Sequence, residues 1–189
     1  MRTLVAYTSQ TGFTKRYAEW VAEAQGCEAV SIDEENVDAG PYDAVVFGGW
    51  FHAASFVGSK WLRRQRAEHP DVRFVAFAVG ATPSEWTDMV DEGMQRAFPS
   101  PEFDGMPRFY LRGGFAYDRL SAPNKLMMKL FFKMQEKQAA DDERASEMLV
   151  GMREGFDACD RAAIEPLLAC VRADEAGRAG GVVDGNGAA

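Results

Sequence analysis

The chain has 189 residues, enough for one domain with a substantial core, and its 47% apolar content excludes wholesale disorder. A net charge of -8 argues against a nucleic-acid partner, because the overall field repels a run of phosphates. Cys27, Cys159 and Cys170 are an odd count without a C-x-x-C, and His52 and His69 are not spaced with them as metal ligands, so the thiols read as reduced and no metal site is expected.

In chain order, residues 2–7 read as an apolar first strand, and 12–25 as an amphipathic helix. Residues 27–32 alternate as a short second strand, 33–38 form an acidic connector, and 42–48 are apolar on both faces, as a buried parallel strand is. A helix over 58–68 carries Lys60, Arg63, Arg64 and Arg66 on its outer face. The fourth strand spans 72–79 and a helix follows over 84–97. Pro99, Pro101 and Pro107 mark a loop before the fifth strand at 108–112. Pro123 opens another helix, 160–171 is the last, with Asp160 as its cap, and 173–189 reads as a flexible Gly/Ala-rich tail. Strands alternating with helices predict a parallel sheet covered on both faces. Five strands fit the doubly wound order 2-1-3-4-5, with the ligand at the carboxyl ends of strands one and three, where the order reverses. The loops after strands one, three and four are therefore expected to converge. No stretch reaches the length of a membrane span. An N-terminus opening on a strand, with no apolar leader, is expected of a cytoplasmic protein.

The first of those loops is Ser9-Gln10-Thr11-Gly12-Phe13-Thr14. Hydroxyls around a glycine at a strand-to-helix junction suit a phosphate: free N–H groups and the positive end of the helix dipole face the anion, and Gly12 permits close approach and a positive φ. There is no G-x-x-x-x-G-K-[ST] and no G-x-G-x-x-G. The competing reading is an ordinary serine/threonine helix cap. The loop after strand three, Gly48-Gly49-Trp50-Phe51-His52-Ala53-Ala54, offers two glycines and two π-faces. Its competing reading is a glycine turn with aromatics folded onto the core. His52 is a candidate proton donor or substrate contact, although a lone loop histidine is more often neither. The loop after strand four supplies backbone N–H groups from Gly80, Ala81 and Thr82.

The pattern S/T-x-T-G-x-T after an N-terminal strand resembles the FMN-phosphate loop of flavodoxins, and the stretch Tyr7 to Trp20 is similar to the branch that includes bacterial flavodoxin-type, menaquinone-dependent protoporphyrinogen IX dehydrogenases. The resemblance implies a flavodoxin-like α/β domain over 1–172 that binds FMN noncovalently. The cofactor-binding residues carried over are Ser9, Gln10, Thr11, Gly12, Phe13 and Thr14 for the phosphate. Gly48, Gly49, Trp50, Phe51, His52, Ala53, Gly80, Ala81 and Thr82 are carried over for the ring. The resemblance also implies that the Gly48–Gly49 loop lies along the flavin and flips a peptide to bond the reduced N5–H. Many flavodoxins carry a stacking tyrosine in the loop after strand four; this chain has no aromatic there before Trp86.

Residues 113–156 depart from an ordinary flavodoxin. Lys125, Lys129, Lys133 and Lys137 recur every fourth residue on one helical stripe, and Leu126, Met127, Met128, Leu130, Phe131, Phe132 and Met134 fill the rest. Such a helix packs on its own domain with its lysines in water, or lies on a bilayer or a quinone-bearing partner through 123–137, with Phe132 and Met128 left over for that contact. The resemblance implies a similar basic, Met-rich insertion serving substrate or membrane-quinone contact. Arg112 and Arg119 are candidates to meet porphyrin propionates. Residues 138–156, with the run Asp141-Asp142-Glu143, read as a connector longer than that enzyme's. No catalytic acid–base pair is expected, because the flavin does the chemistry. The leading expectation is an FMN-binding electron-transfer protein or oxidoreductase, its partner a redox protein or a quinone. The alternatives are protoporphyrinogen oxidation in haem biosynthesis, at the inner face of the membrane, and a flavin-free interaction module.

Overall fold

The computed structural model describes residues 1–52, 55–138 and 143–180. β1 (Thr3–Tyr7), β3 (Ala44–His52) and β5 (Arg73–Gly80) are buried along most of their length, as strands must be when helices cover both faces of a parallel sheet. β2 (Ala29–Ser31) and β6 (Arg108–Arg112) flank them, giving the order β2-β1-β3-β5-β6, every pairing parallel. This is the doubly wound order expected for the five parallel strands. A sixth strand, β4 (Ser55–Val57), adds an antiparallel hairpin to β3 with Trp50 opposite Val57, Phe51 opposite Phe56 and His52 opposite Ser55.

That hairpin corrects the expected loop after the third strand. Gly48 and Gly49 lie inside β3, laddered to Phe77 and Ala78 of β5, rather than in a flexible turn. Their missing side chains make room for neighbours: a Cβ at Gly48 would overlap the Phe77 ring, and one at Gly49 would overlap the Val57 carbonyl and the Phe56 ring. These glycines are there for close packing, and a peptide flip at them would break ladder hydrogen bonds on both sides.

α1 (Phe13–Gln25) buries Phe13, Tyr17, Ala18, Val21 and Ala22, spaced three and four apart, against one face of the sheet. Burying Val21 alone is worth about 1.5–3 kcal/mol. The helix stops at Gly26, whose φ of 66° lets its N–H turn back to the Ala22 and Glu23 carbonyls. α6 (Glu165–Gly180) covers the same face with Leu167, Leu168 and Val171 against Val5, Val46 and Phe77. On the other face, α2 (Ser59–Glu68) and α3 (Thr87–Ala97) bring Leu62 and Ala97 onto Leu4, Val45, Phe47 and Ala76. The cap at Asp160 forms as expected, its Oδ1 accepting the Ala162 N–H at 2.9 Å, but it opens a 3-10 turn over Arg161–Ile164 that leads into α6. α6 runs on past Ala173, where composition predicts a tail; alanine and glutamate there are strong helix formers. Residues 181–189 of that tail lie outside the described residues.

After β6 the chain forms a two-stranded ladder, β7 (Gly114–Phe115) with β8 (Phe156–Asp157), which pinches the base of a helical pair, α4 (Ala122–Gln138) and α5 (Glu143–Glu154). α5 replaces most of the expected connector and buries Leu149 and Met152. Asp141 and Asp142 of the acidic run lie outside the described residues.

Candidate functional site

The loop between β1 and α1 is built around Gly12. Its φ of 95° is left-handed, and it occupies the N-cap of α1 with no side chain capping the helix. The Ser9 hydroxyl accepts the Gly12 N–H at 3.2 Å, and the Arg16 N–H returns to the Gly12 carbonyl at 3.0 Å. The hydroxyls are therefore not spent as a conventional cap, and the N–H groups of the first turn at Phe13, Thr14 and Lys15 have no intrahelical acceptor. The loop is anchored beneath by the Thr8 N–H to the Gly48 carbonyl, 3.0 Å, and by the Thr8 hydroxyl to Asp33, 2.7 Å.

A cavity of about 500 Å³ opens at the carboxyl ends of β1, β3 and β5. It lies where the strand order reverses between β1 and β3, the position at which doubly wound sheets hold their ligands. Gln10, Thr11, Phe13 and Thr14 border it from the first loop, Trp50, Phe51 and His52 from the end of β3, and Gly80, Ala81 and Thr82 from the loop after β5. Three segments far apart in sequence thus meet around one space. Of the other expected positions, Ser9 and Gly12 support the loop from behind, Gly48 and Gly49 are packed inside β3, and Ala53 lies outside the described residues.

Alternation along β3 divides its aromatic residues. Trp50 and His52 share a face and stack, centroids 5.3 Å apart at 20°. Phe51 points to the other face and packs against Tyr110, 6.1 Å away. The Tyr110 hydroxyl donates to the Thr82 carbonyl at 2.7 Å and so pins the loop at Thr82, and burial pushes its phenol above the ordinary tyrosine range. A side chain at Gly80 would run into this tyrosine. Trp86 starts α3 away from the cavity, its ring under the Arg144 guanidinium at 5.6 Å.

The helical pair roofs the same space. Met127, Met128 and Phe131 of α4 and Met148 and Met152 of α5 line it, with Met89 of α3. These residues, Tyr110 and Asn124 are the part that sequence reading missed, although the four-residue spacings Met127–Phe131 and Met148–Met152 are a helical signal in retrospect. The roof also corrects the expected outer face of α4. Met128 lines the cavity, and Phe132 is tucked against Tyr117, 6.5 Å, beneath Arg153, 5.4 Å. The exposed apolar residues are instead Leu126, Leu130 and Met134, with Met127 and Phe131 partly so. Arg112 and Arg119, expected near a substrate's carboxylates, do not line the cavity. Arg112 lies over the Phe156 ring at 5.7 Å and near Glu85 at 4.0 Å, and Arg119 Nη1 donates to the Thr11 carbonyl at 3.1 Å. Among the described residues no cluster of His, Cys, Asp and Glu is arranged to hold a metal ion.

The sequence matches the family model of the flavodoxin domain over residues 4–142. A comparison with curated proteins finds no match. Among solved structures, a flavodoxin from the domain Archaea is 14% identical with a TM-score of 0.39, covering 81% of this chain and 95% of that one. Oxidised flavodoxin 1 from Bacillus cereus is 10% identical with a TM-score of 0.40, covering 82% and 96%. A flavoprotein in complex with FMN from Lactobacillus acidophilus is 17% identical with a TM-score of 0.38, covering 59% and 92%.

Proposed function

The chain belongs to the flavodoxin domain family, and from that membership we propose that it binds FMN noncovalently in this cavity and works in electron transfer as an oxidoreductase. The observation that carries the reading is the uncapped, left-handed Gly12 at the head of α1, whose neighbours Thr11, Phe13 and Thr14 line the same cavity as the ends of β3 and β5. The residues fit the cofactor. An anionic end is matched by the free N–H groups of the first helical turn and by the Thr11 and Thr14 hydroxyls, which supply donors without charge. A flat aromatic end is matched by an apolar space bordered by Trp50, Phe51 and the Gly80–Thr82 loop. Bound FMN would supply reversible one- and two-electron chemistry. The chain's own work is to hold the phosphate, to fix the ring through a loop pinned by Tyr110, and to shield it from water with the methionines of α4 and α5. The test is to purify the protein, record its visible spectrum, and titrate the cofactor-free form with FMN; a colourless protein that takes up none is the flavin-free module instead.

The roof favours a second, finer reading. An apolar compartment walled by Met127, Met128, Met148 and Met152 suits a large, adaptable apolar small molecule next to the ring better than a bare electron-carrier edge does. Together with the sequence resemblance, this supports protoporphyrinogen IX as donor and menaquinone as acceptor. Outward, α4 presents Leu126, Leu130 and Met134 beside Lys125, Lys129 and Lys133, a combination suited to the surface of an anionic bilayer holding that quinone. Anaerobic turnover of protoporphyrinogen with a menaquinone analogue supports this reading, and no turnover by the FMN-loaded protein removes it.

A further inference from the structure

We propose that Arg119 is a phosphate-binding residue of the cofactor site, giving it a cation that makes the pocket selective for a phosphorylated flavin over riboflavin; this rests on the FMN reading above. Arg119 lies 108 residues from Thr11 in sequence, yet its Nη1 donates to the Thr11 carbonyl at 3.1 Å. A Cβ built on Gly12 would stand 3.7 Å from the same nitrogen. The guanidinium is thus seated on the bend that carries the free N–H groups. One bond to a carbonyl leaves most of its five N–H donors unspent. Among the described residues no carboxylate pairs with it. The neighbouring cations of α1 are already engaged, Lys15 with Glu19 at 3.9 Å and Arg16 with Asp157 at 2.6 Å. Arg119 is therefore the cation near this loop that is placed for a dianion, in a chain whose net charge of -8 otherwise repels one.

Its position is built rather than incidental. Arg119 ends the 3-10 turn Tyr117–Arg119, whose Tyr117 hydroxyl donates to the Lys125 carbonyl at 3.2 Å, while Lys125 Nζ donates to the Asp118 carbonyl at 2.8 Å. One residue group further on, Asn124 Nδ2 donates to Gln10 Oε1 at 3.0 Å, and Gln10 Nε2 donates to the Ser121 hydroxyl at 3.4 Å. The start of α4 is therefore fastened to the loop at Gln10 and Thr11, which holds the guanidinium against the Thr11 carbonyl at the edge of the loop, just outside the cavity lining. A planar fork that reaches two phosphate oxygens at once is a geometry lysine lacks.

The experiment compares FMN and riboflavin affinity, by quenching of flavin fluorescence, for the full chain and for Arg119→Ala and Arg119→Lys, at low and high salt. Wild type is expected to bind FMN more tightly than riboflavin, and more weakly as salt rises. Arg119→Ala should lose about 10- to 100-fold in FMN affinity, the size expected for a charge-assisted hydrogen bond, keep its riboflavin affinity, and show a flatter salt dependence. Arg119→Lys should recover part of the loss. Unchanged FMN affinity in Arg119→Ala, or an equal loss for both flavins, overturns the assignment while leaving the FMN site standing. Failure of wild type to bind either flavin overturns the cofactor reading itself.

Discussion

Tyr17 and Asp160 meet through one hydroxyl: the Asp160 backbone N–H donates to Tyr17 Oη at 3.0 Å, and Oη in turn donates to the Arg112 carbonyl at 2.6 Å. Tyr17 sits fully buried in the middle of α1, so it bolts the last residue of β6 and the cap before α6 to the helix that begins at the cofactor loop.

Tyr17→Phe should cost about 1–2 kcal/mol, because it leaves a half-buried N–H and a half-buried carbonyl without their partner. Burial pushes this phenol up to about 12. The unfolded chain ionises near about 10, so it releases its proton first as pH rises. The tyrosine's contribution is therefore fully present below about pH 10 and is lost between there and about 12. Urea unfolding of wild type and variant at about pH 8 and about pH 11 should show the gap between them narrowing. A constant gap means that the hydroxyl is not held as described.

Gly48→Ala should destabilise by about 1–3 kcal/mol through overpacking, since the new methyl group must push aside the Phe77 ring between two ladders. A shift of the urea midpoint measures it. The same change in a free loop would be neutral or mildly stabilising, so a variant as stable as wild type would put Gly48 outside the strand.

This glycine pair also marks where the sequence stops being legible. β1, β5 and α1 were readable because their own residues carry the period: continuous apolar runs for the buried strands, and Phe13, Tyr17, Val21 for the helix. The hydroxyl loop was readable because its chemistry is local. Gly48-Gly49 reads as a turn in isolation and becomes strand only because Phe77 and Phe56, supplied from elsewhere, fill the space of the absent side chains. α5 hid behind the acidic run at its start. The face that α4 turns inward depends on where β7 and β8 close the insertion, which no residue of α4 encodes.

Gly12→Asp should abolish measurable FMN uptake. A side chain at φ 95° is strained, and its carboxylate would stand in the turn that carries the free N–H groups and close to Arg119. Thr11→Ala removes only a neutral donor and should weaken FMN by about 5- to 10-fold, in the range of one ordinary hydrogen bond. Equilibrium titration of the cofactor-free protein separates the two. Equal affinities across wild type and both variants would move the phosphate away from this loop.

The outer face of α4 makes a prediction independent of the cofactor. Leu126, Leu130 and Met134 are 61%, 58% and 71% exposed, and none of them lines the cavity. Lys129 and Lys133 flank this stripe, and each basic residue near an anionic surface is worth about 1 kcal/mol. Among the described residues no helix is long and apolar enough to cross a membrane. Wild type should co-sediment with phosphatidylglycerol vesicles more than with phosphatidylcholine ones, and less as salt rises. Leu126→Glu with Leu130→Glu should abolish sedimentation with either lipid while FMN uptake is unchanged. Lys129→Glu with Lys133→Glu should erase only the preference for the anionic lipid, because it removes attraction and leaves the apolar stripe. Wild type remaining in the supernatant with both lipids would leave this face to a protein partner and remove the bilayer from the proposed route of electrons.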